Sequence, residues 1–272
     1  MMSTLTAELY GIRHRRAFTV LGMVWLLQII LFAYVANYVV SVSVDELTDI
    51  QRDAMQASLR TDAASAAVLG SLPMYGAPVL IILGALMGAG DERSGILRLV
   101  LSRVPERTSI LAGRVAAMLL VVAVVIVASV IVAAGCSLAI SLIEGTDVRW
   151  DPGAIARDTA ASWLIGSAWA SLGFMLGIVT RSLAASIAVG VLWALVVEQM
   201  IHGLAGVVAA FSAARVVLIS GASTVLSDAA GVAAMPGGVP DAPVAVAIAV
   251  LIAWIVVCVV VAGIVFRYRD VR

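Results

Sequence analysis

Apolar residues fall into six long runs, each parted from the next by a short polar segment: Ala17–Val40, Val68–Ala89, Ile110–Ile143, Thr159–Val179, Leu183–Ile201 and Val244–Phe266. A helix needs about 20 apolar residues to cross the hydrocarbon core of a bilayer, and these runs are of that order. The pattern predicts an all-α integral membrane protein with six transmembrane helices in a single domain, residues 1–272. The third run exceeds a straight crossing, so that helix should tilt or protrude. A further apolar stretch, Gly203–Ile219, is interrupted by Arg215 and followed by Gly221. It predicts a short re-entrant or interfacial hairpin before the last span rather than a seventh crossing.

The polar segments carry their own signals. Residues Asp45 to Ala64 contain no Gly or Pro and no strand alternation, which predicts a short helix outside the membrane. Gly221–Val244 is rich in Gly, Ala and Pro and is expected to be irregular and exposed. Inside the fourth span, Gly166, Ala170, Gly173 and Gly177 recur every three or four residues on one helix face. Small residues at that spacing let membrane helices, or two subunits, approach closely.

Composition agrees with lipid as the solvent. Hydrophobic residues make up 62% of the 272 and charged residues 12%, against about a quarter charged in soluble domains. The formal net charge is zero, so no global basic field points to nucleic acid. All 17 cations are arginine. Without lysine the chain can hold neither a phosphate-binding P-loop nor a pyridoxal Schiff base. Cys136 and Cys258 lie in different spans with no CxxC spacing, and read as buried, inert thiols rather than metal ligands. The first apolar run is too long for a signal-peptide core and is expected to remain as a span. Trp150, Trp163 and Trp254 fall in spans or at their boundaries, where interfacial anchoring or packing accounts for them.

Arginine also sets the orientation. With an even number of crossings and both ends inside, 12 arginines lie on the inner side: Arg13, Arg15, Arg16, Arg93, Arg98, Arg103, Arg107, Arg114, Arg181, Arg267, Arg269 and Arg272. The five left outside are Arg52, Arg60, Arg149, Arg157 and Arg215. A seventh crossing would move RYRDVR outward and spoil the asymmetry. The expectation is a multi-pass protein of the plasma membrane, bacterial, with both termini cytoplasmic.

Residues 90–114, GDERSGILRLVLSRVPERTSILAGR, gather five arginines and three acids between two apolar runs. Taken as a helix from Ser94 to Val104, 100° steps put Ile96, Leu97, Leu99, Val100, Leu101 and Val104 on one arc. Ser94, Gly95, Arg98 and Ser102 fall opposite. Asp91 and Glu92 stand at the N-terminal end, where acids complement the helix dipole, and Pro105 ends the helix. Such an amphipathic helix on the inner face suits docking on a soluble partner as well as holding the loop inside.

ERSGILRLVLSRVPERTSILAGR resembles the segment between the second and third spans of type-2 ABC transporter permeases, a coupling helix that docks on the ATPase subunit. LTAELYGIRHRRAF, Leu5–Phe18, resembles the amphipathic elbow helix before their first span. FRYRDV, Phe266–Val271, resembles their F-x-x-R-D ending. The resemblance covers essentially the whole chain. It implies the membrane-spanning permease subunit of an ATP-binding cassette transporter, an exporter of hydrophobic or amphiphilic substrates, which is not itself an enzyme. Asp91, Glu92, Gly95, Arg98, Arg103 and Arg107 would be the ATPase-coupling residues. ATP and Mg would bind a cytoplasmic ATPase partner, this chain binding no cofactor. A second permease, identical or related, would complete the pathway.

Glu198, Gln199 and His202 form the one polar cluster within a span. An intramembrane carboxylate is costly and is a functional candidate by default. Glu198 lies about 22 Å along its helix from Leu183 at 1.5 Å per residue, toward the outer leaflet. Three roles suit the cluster: a structural polar bridge with the Arg215 hairpin, a contact in the substrate pathway, or proton chemistry. The rival to the permease reading is a secondary transporter that works through Glu198 and His202 without an ATPase. Six-span proteases are excluded, because the only histidines are His14 and His202 and no G-x-S-G sequence is present.

Overall fold

The computed structural model describes residues 16–43, 48–89, 107–205, 209–232 and 241–268. Every regular element among them is helical. In chain order they are α1 (Arg16–Ser43), α2 (Asp49–Leu59), α3 (Ala64–Ser71), α4 (Ala77–Ala89) and α5 (Arg107–Glu144). There follow α6 (Pro152–Thr180), α7 (Leu183–Leu204), α8 (Ala209–Val216), α9 (Ile219–Ala229) and α10 (Val244–Tyr268). Five of them, α1, α5, α6, α7 and α10, are long and apolar enough to cross a membrane.

The second predicted span is divided. Pro73 offers no amide to the Leu69 carbonyl, and the Leu72 N–H takes that carbonyl instead. A π turn, Leu72–Gly76, absorbs the mismatch and joins α3 to α4. Neither piece is long enough to cross alone, although together they occupy the predicted segment. Two further π turns, Ile29–Val35 and Trp193–Val197, lie within α1 and α7. The long third helix is as expected: the 38 residues of α5 extend roughly 57 Å, well beyond the hydrocarbon thickness.

Helix α6 is the hub. Two-thirds (67%) of its most apolar window is buried within the chain, against 17–28% for the other four spans. Its small-residue face meets α4 backbone to backbone. A Cβ at Gly84 would run into the Ala170 carbonyl, one at Gly88 into the Phe174 carbonyl, and one at Gly173 into the Ile81 carbonyl. A Cβ at Gly177 would sit 2.9 Å from the Ala89 amide. The stripe read from the sequence therefore packs helices inside one chain.

Side-chain bonds fix the directions of the helices. Trp25 Nε1 donates to Ser129 Oγ at 2.8 Å and Ser137 Oγ donates to Tyr34 Oη at 3.1 Å, so α1 and α5 run parallel. Ser65 Oγ donates to Asp158 Oδ2 at 2.8 Å, and with the Gly84–Ala170 contact this makes α3–α4 and α6 parallel. Gly263 packs on Leu111, bringing the Tyr268 end of α10 to the Arg107 end of α5. Arg16, Arg107 and Tyr268 thus share one end of the bundle.

The polar helix expected over residues 45–64 is α2. Thr48 and Gln51 form a reciprocal capping box at its start, and a 3₁₀ turn, Thr61–Ala63, leads into α3. The expectation that Gly221–Val244 is irregular and exposed is corrected for its first part, Gly221–Ser227; Asp228, Ala229, Gly231, Asp241, Pro243 and Val244 are exposed, and 233–240 lie outside the described residues. Ile219–Ser227 is buried helix within α9. Two of its hydroxyls are satisfied by the helix itself, Ser223 Oγ donating to the Ile219 carbonyl (2.6 Å) and Thr224 Oγ1 to the Gly221 carbonyl (2.8 Å), while the buried Ser227 Oγ has no partner among the described residues. Their small volume lets the helix enter the bundle.

Candidate functional site

The polar knot predicted at Glu198 and His202 is built where α7 meets the α8–α9 corner. In a π turn the residues five apart stack more nearly than in an α-helix, which brings Trp193 over Glu198. Trp193 Nε1 donates to Glu198 Oε1 at 2.9 Å. The other oxygen, Oε2, accepts the Ser220 amide at 2.8 Å. Glu198 is completely buried and His202 nearly so.

The Ser220 bond is a tertiary helix cap. The first amides of a helix have no intrahelical acceptor, and the residue before α9, Leu218, has no side-chain oxygen to offer. Glu198 supplies the acceptor from another helix, at the end where the helix dipole favours an anionic group. His202, one turn further along α7, places Nε2 2.8 Å from Ser220 Oγ. The pair read from i, i+4 spacing therefore grips a single residue of α9, Ser220.

The corner itself is tight. The Arg215 carbonyl accepts the Leu218 amide at 3.2 Å, and a Cβ at Gly221 would collide with that same carbonyl. Arg215 is buried and within electrostatic reach of His202. Trp254 of α10 donates from Nε1 to the Val217 carbonyl at 2.9 Å, and its ring lies 6.4 Å from that of Trp193. Two tryptophans, one glutamate and one histidine thus clamp the corner.

Gln199 points away from this knot and is exposed. Of the six residues assigned to ATPase coupling, Asp91, Glu92, Gly95, Arg98 and Arg103 lie outside the described residues, and Arg107 opens α5. Most of the elbow segment, Leu5 to Arg15, and residues 269–271 of FRYRDV lie outside them as well. Among the described residues no group of three or more His, Cys, Asp or Glu side chains is placed to hold a metal ion.

Trp193, Ser220 and Trp254 belong to the knot and were not legible as such. A five-residue Trp–Glu spacing matches no α-helical period, and Ser220 and Trp254 lie on other elements. Arg215 was legible, as a charge inside an apolar stretch.

Residues 53–272 match the family described as a protein of unknown function (DUF2705). No curated protein matches the chain.

Proposed function

The chain belongs to the DUF2705 family, and we propose that it is the permease subunit of an ATP-binding cassette exporter in a bacterial plasma membrane. In this reading α3 and α4 together make a sixth crossing and both termini are cytoplasmic. The segment between α4 and α5 is the coupling helix. A separate ATPase chain binds ATP and Mg, and its closure pushes on Gly90–Arg107. Two permeases, identical or related, then alternate the access of a hydrophobic or amphiphilic substrate.

The observation that carries the reading is the clustering at one end of the bundle. Arg16, Arg107 and Tyr268 share that end, and residues 90–106 join Ala89 to Arg107 there. The side that the distribution of arginine assigns to the cytoplasm is thus the one where α1 and α5 begin and α10 ends, and the arginine-rich segment directly precedes α5 in the chain. The knot argues against a secondary transporter built on Glu198 and His202. Both Glu198 oxygens are held by donors of the fold, and His202 holds Ser220.

Co-expression with a candidate ATPase chain tests the reading. Glu92→Ala, Gly95→Leu and Arg98→Glu should each lower co-purification of the ATPase and abolish its stimulation by the permease, with the membrane subunit still inserted. Full co-purification and stimulation in all three variants would remove the coupling assignment.

A further inference from the structure

At the end of the bundle opposite Arg16, a cavity of about 1020 Å³ opens between α2, the Arg149–Asp151 strand of chain and the start of α6. Below it a second cavity of about 270 Å³ runs between α1 and the α3–α4 pair. Asn37, Ser58, Ala67 and Val232 line both, so the two form one continuous cleft.

The two halves differ in chemistry. The lower half follows one face of α1 from Trp25 to Asn37, roughly 18 Å at 1.5 Å per residue, and is mainly apolar and aromatic. Two π turns meet there, with Phe32 stacked on Tyr75 at 5.1 Å. Phe32 is 50% exposed on the outer surface of α1, so this half opens sideways toward the surrounding lipid. The upper half is lined by Arg60, Arg149 and Arg157 and by Asp62, Asp151 and Asp158.

Formal charge cancels in the upper half, but hydrogen-bonding capacity does not. Asp151 accepts the Gly153 and Ala154 amides as the cap of α6. Asp158 is buried and accepts from Ser65 and Arg157, and Asp62 pairs with Arg60 at 3.5 Å. Each carboxylate is thus already engaged. A guanidinium has five N–H donors. Arg60 and Arg157 meet their aspartates through Nε, leaving the terminal forks, and Arg149 reaches Asp147 with one terminal nitrogen. The unused donors are cationic and fork-shaped, which suits phosphate oxygens.

We propose that this cleft binds an anionic phospholipid of the surrounding leaflet, with its phosphate on Arg60 and Arg149 and an acyl chain along the Trp25–Asn37 face of α1. The lipid enters past Phe32 and Tyr75. This inference concerns the chain by itself and does not depend on the transport reading.

Native mass spectrometry of the full chain in detergent, with chain-matched phosphatidylglycerol and phosphatidylcholine in equal amounts, tests it without an ATPase. Phosphatidylglycerol should be retained in preference. Arg60→Gln with Arg149→Gln should lower that retention by at least about tenfold, since each of the two lost charge-assisted contacts is by itself of that scale. Arg181→Gln, which removes an exposed arginine away from the cleft, should leave it unchanged. Ala33→Trp should fill the lower half and displace both lipids, and free glycerol phosphate should not compete. Equal retention of the two lipids, retention unaffected by the double substitution, or full competition by glycerol phosphate would each overturn the proposal.

Discussion

Replacing Glu198 by Gln isolates the tertiary cap. The carboxylate accepts on both oxygens, from Trp193 Nε1 at 2.9 Å and from the Ser220 amide at 2.8 Å. A carboxamide of the same shape has one acceptor oxygen and one donor nitrogen. Whichever way it is turned, one of the two N–H donors faces an NH₂ group. A buried donor left without an acceptor costs about 1–3 kcal/mol. Glu198→Ala frees both donors and leaves a void, so its cost should be about twice as large, roughly 2–6 kcal/mol. The loss falls on the corner and not on the whole bundle, because the α4–α6 crossing shares no partner with it. Hydrogen exchange of the 215–225 segment in nanodiscs reads the effect. About 1–3 kcal/mol corresponds to exchange faster by roughly 5- to 150-fold in the Gln variant, with greater loss in the Ala variant. Peptides from α4 and the centre of α6 should be unchanged. If the Ser220 amide stayed equally protected in both variants, Glu198 would not be the cap and the account of the knot would fail.

Three further outcomes follow from the packing. Gly84→Leu or Gly173→Leu drives a side chain into the backbone of the facing helix and should abolish stable insertion, whereas Gly135→Ala meets nothing within 4 Å and should express as wild type, read by detergent-solubilised yield and size exclusion. Thr48→Ala removes the capping box of α2 and should cost about 0.5–2 kcal/mol locally, seen as faster exchange over residues 49–55 with the spans untouched. Trp254→Phe leaves the Val217 carbonyl without its indole donor; a loss of about 0.5–1.5 kcal/mol should lower the thermal midpoint, and an unchanged midpoint would mean the bond contributes nothing net.

Hydropathy made most of the bundle legible, because in lipid a long apolar run has few options other than a helix. The ends of α5, α6, α7 and α10 fall within a few residues of the predicted runs, apart from the polar first two turns of α6. What it missed were features that depend on a second element. Pro73 was visible in the sequence, yet the π turn that accommodates it depends on which carbonyl Leu72 takes. Helix α9 looked like loop because Gly, Ser and Ala dominate residues 220–223. Their burial becomes intelligible only when Glu198 caps the helix and Gly221 clears the Arg215 carbonyl. At the knot, Glu198 and His202 were legible as costly polar groups with a shared face, but the partner that explains both, Ser220, is 22 and 18 residues away.

The close crossing of α4 and α6 bears on how a push at the arginine-rich end would travel. Under the permease reading, force applied to Gly90–Arg107 reaches α4 at Ala89. Side-chain contacts absorb small displacements through rotamer changes, but Gly84, Gly88, Gly173 and Gly177 put backbone against backbone. Helix α4 and the lower half of α6 should therefore move as one body. The π turn at Leu72–Gly76 lies where that body gives way to α3, whose far end is held to α6 through Ser65 and Asp158. Its distorted ladder makes it the natural place for bending. A disulfide joining introduced cysteines across the α4–α6 crossing should then leave coupling intact. A crosslink between positions 32 and 75, which locks the two π turns together, should block it. Coupling that survived the second crosslink would show that the π turns do not act as a hinge.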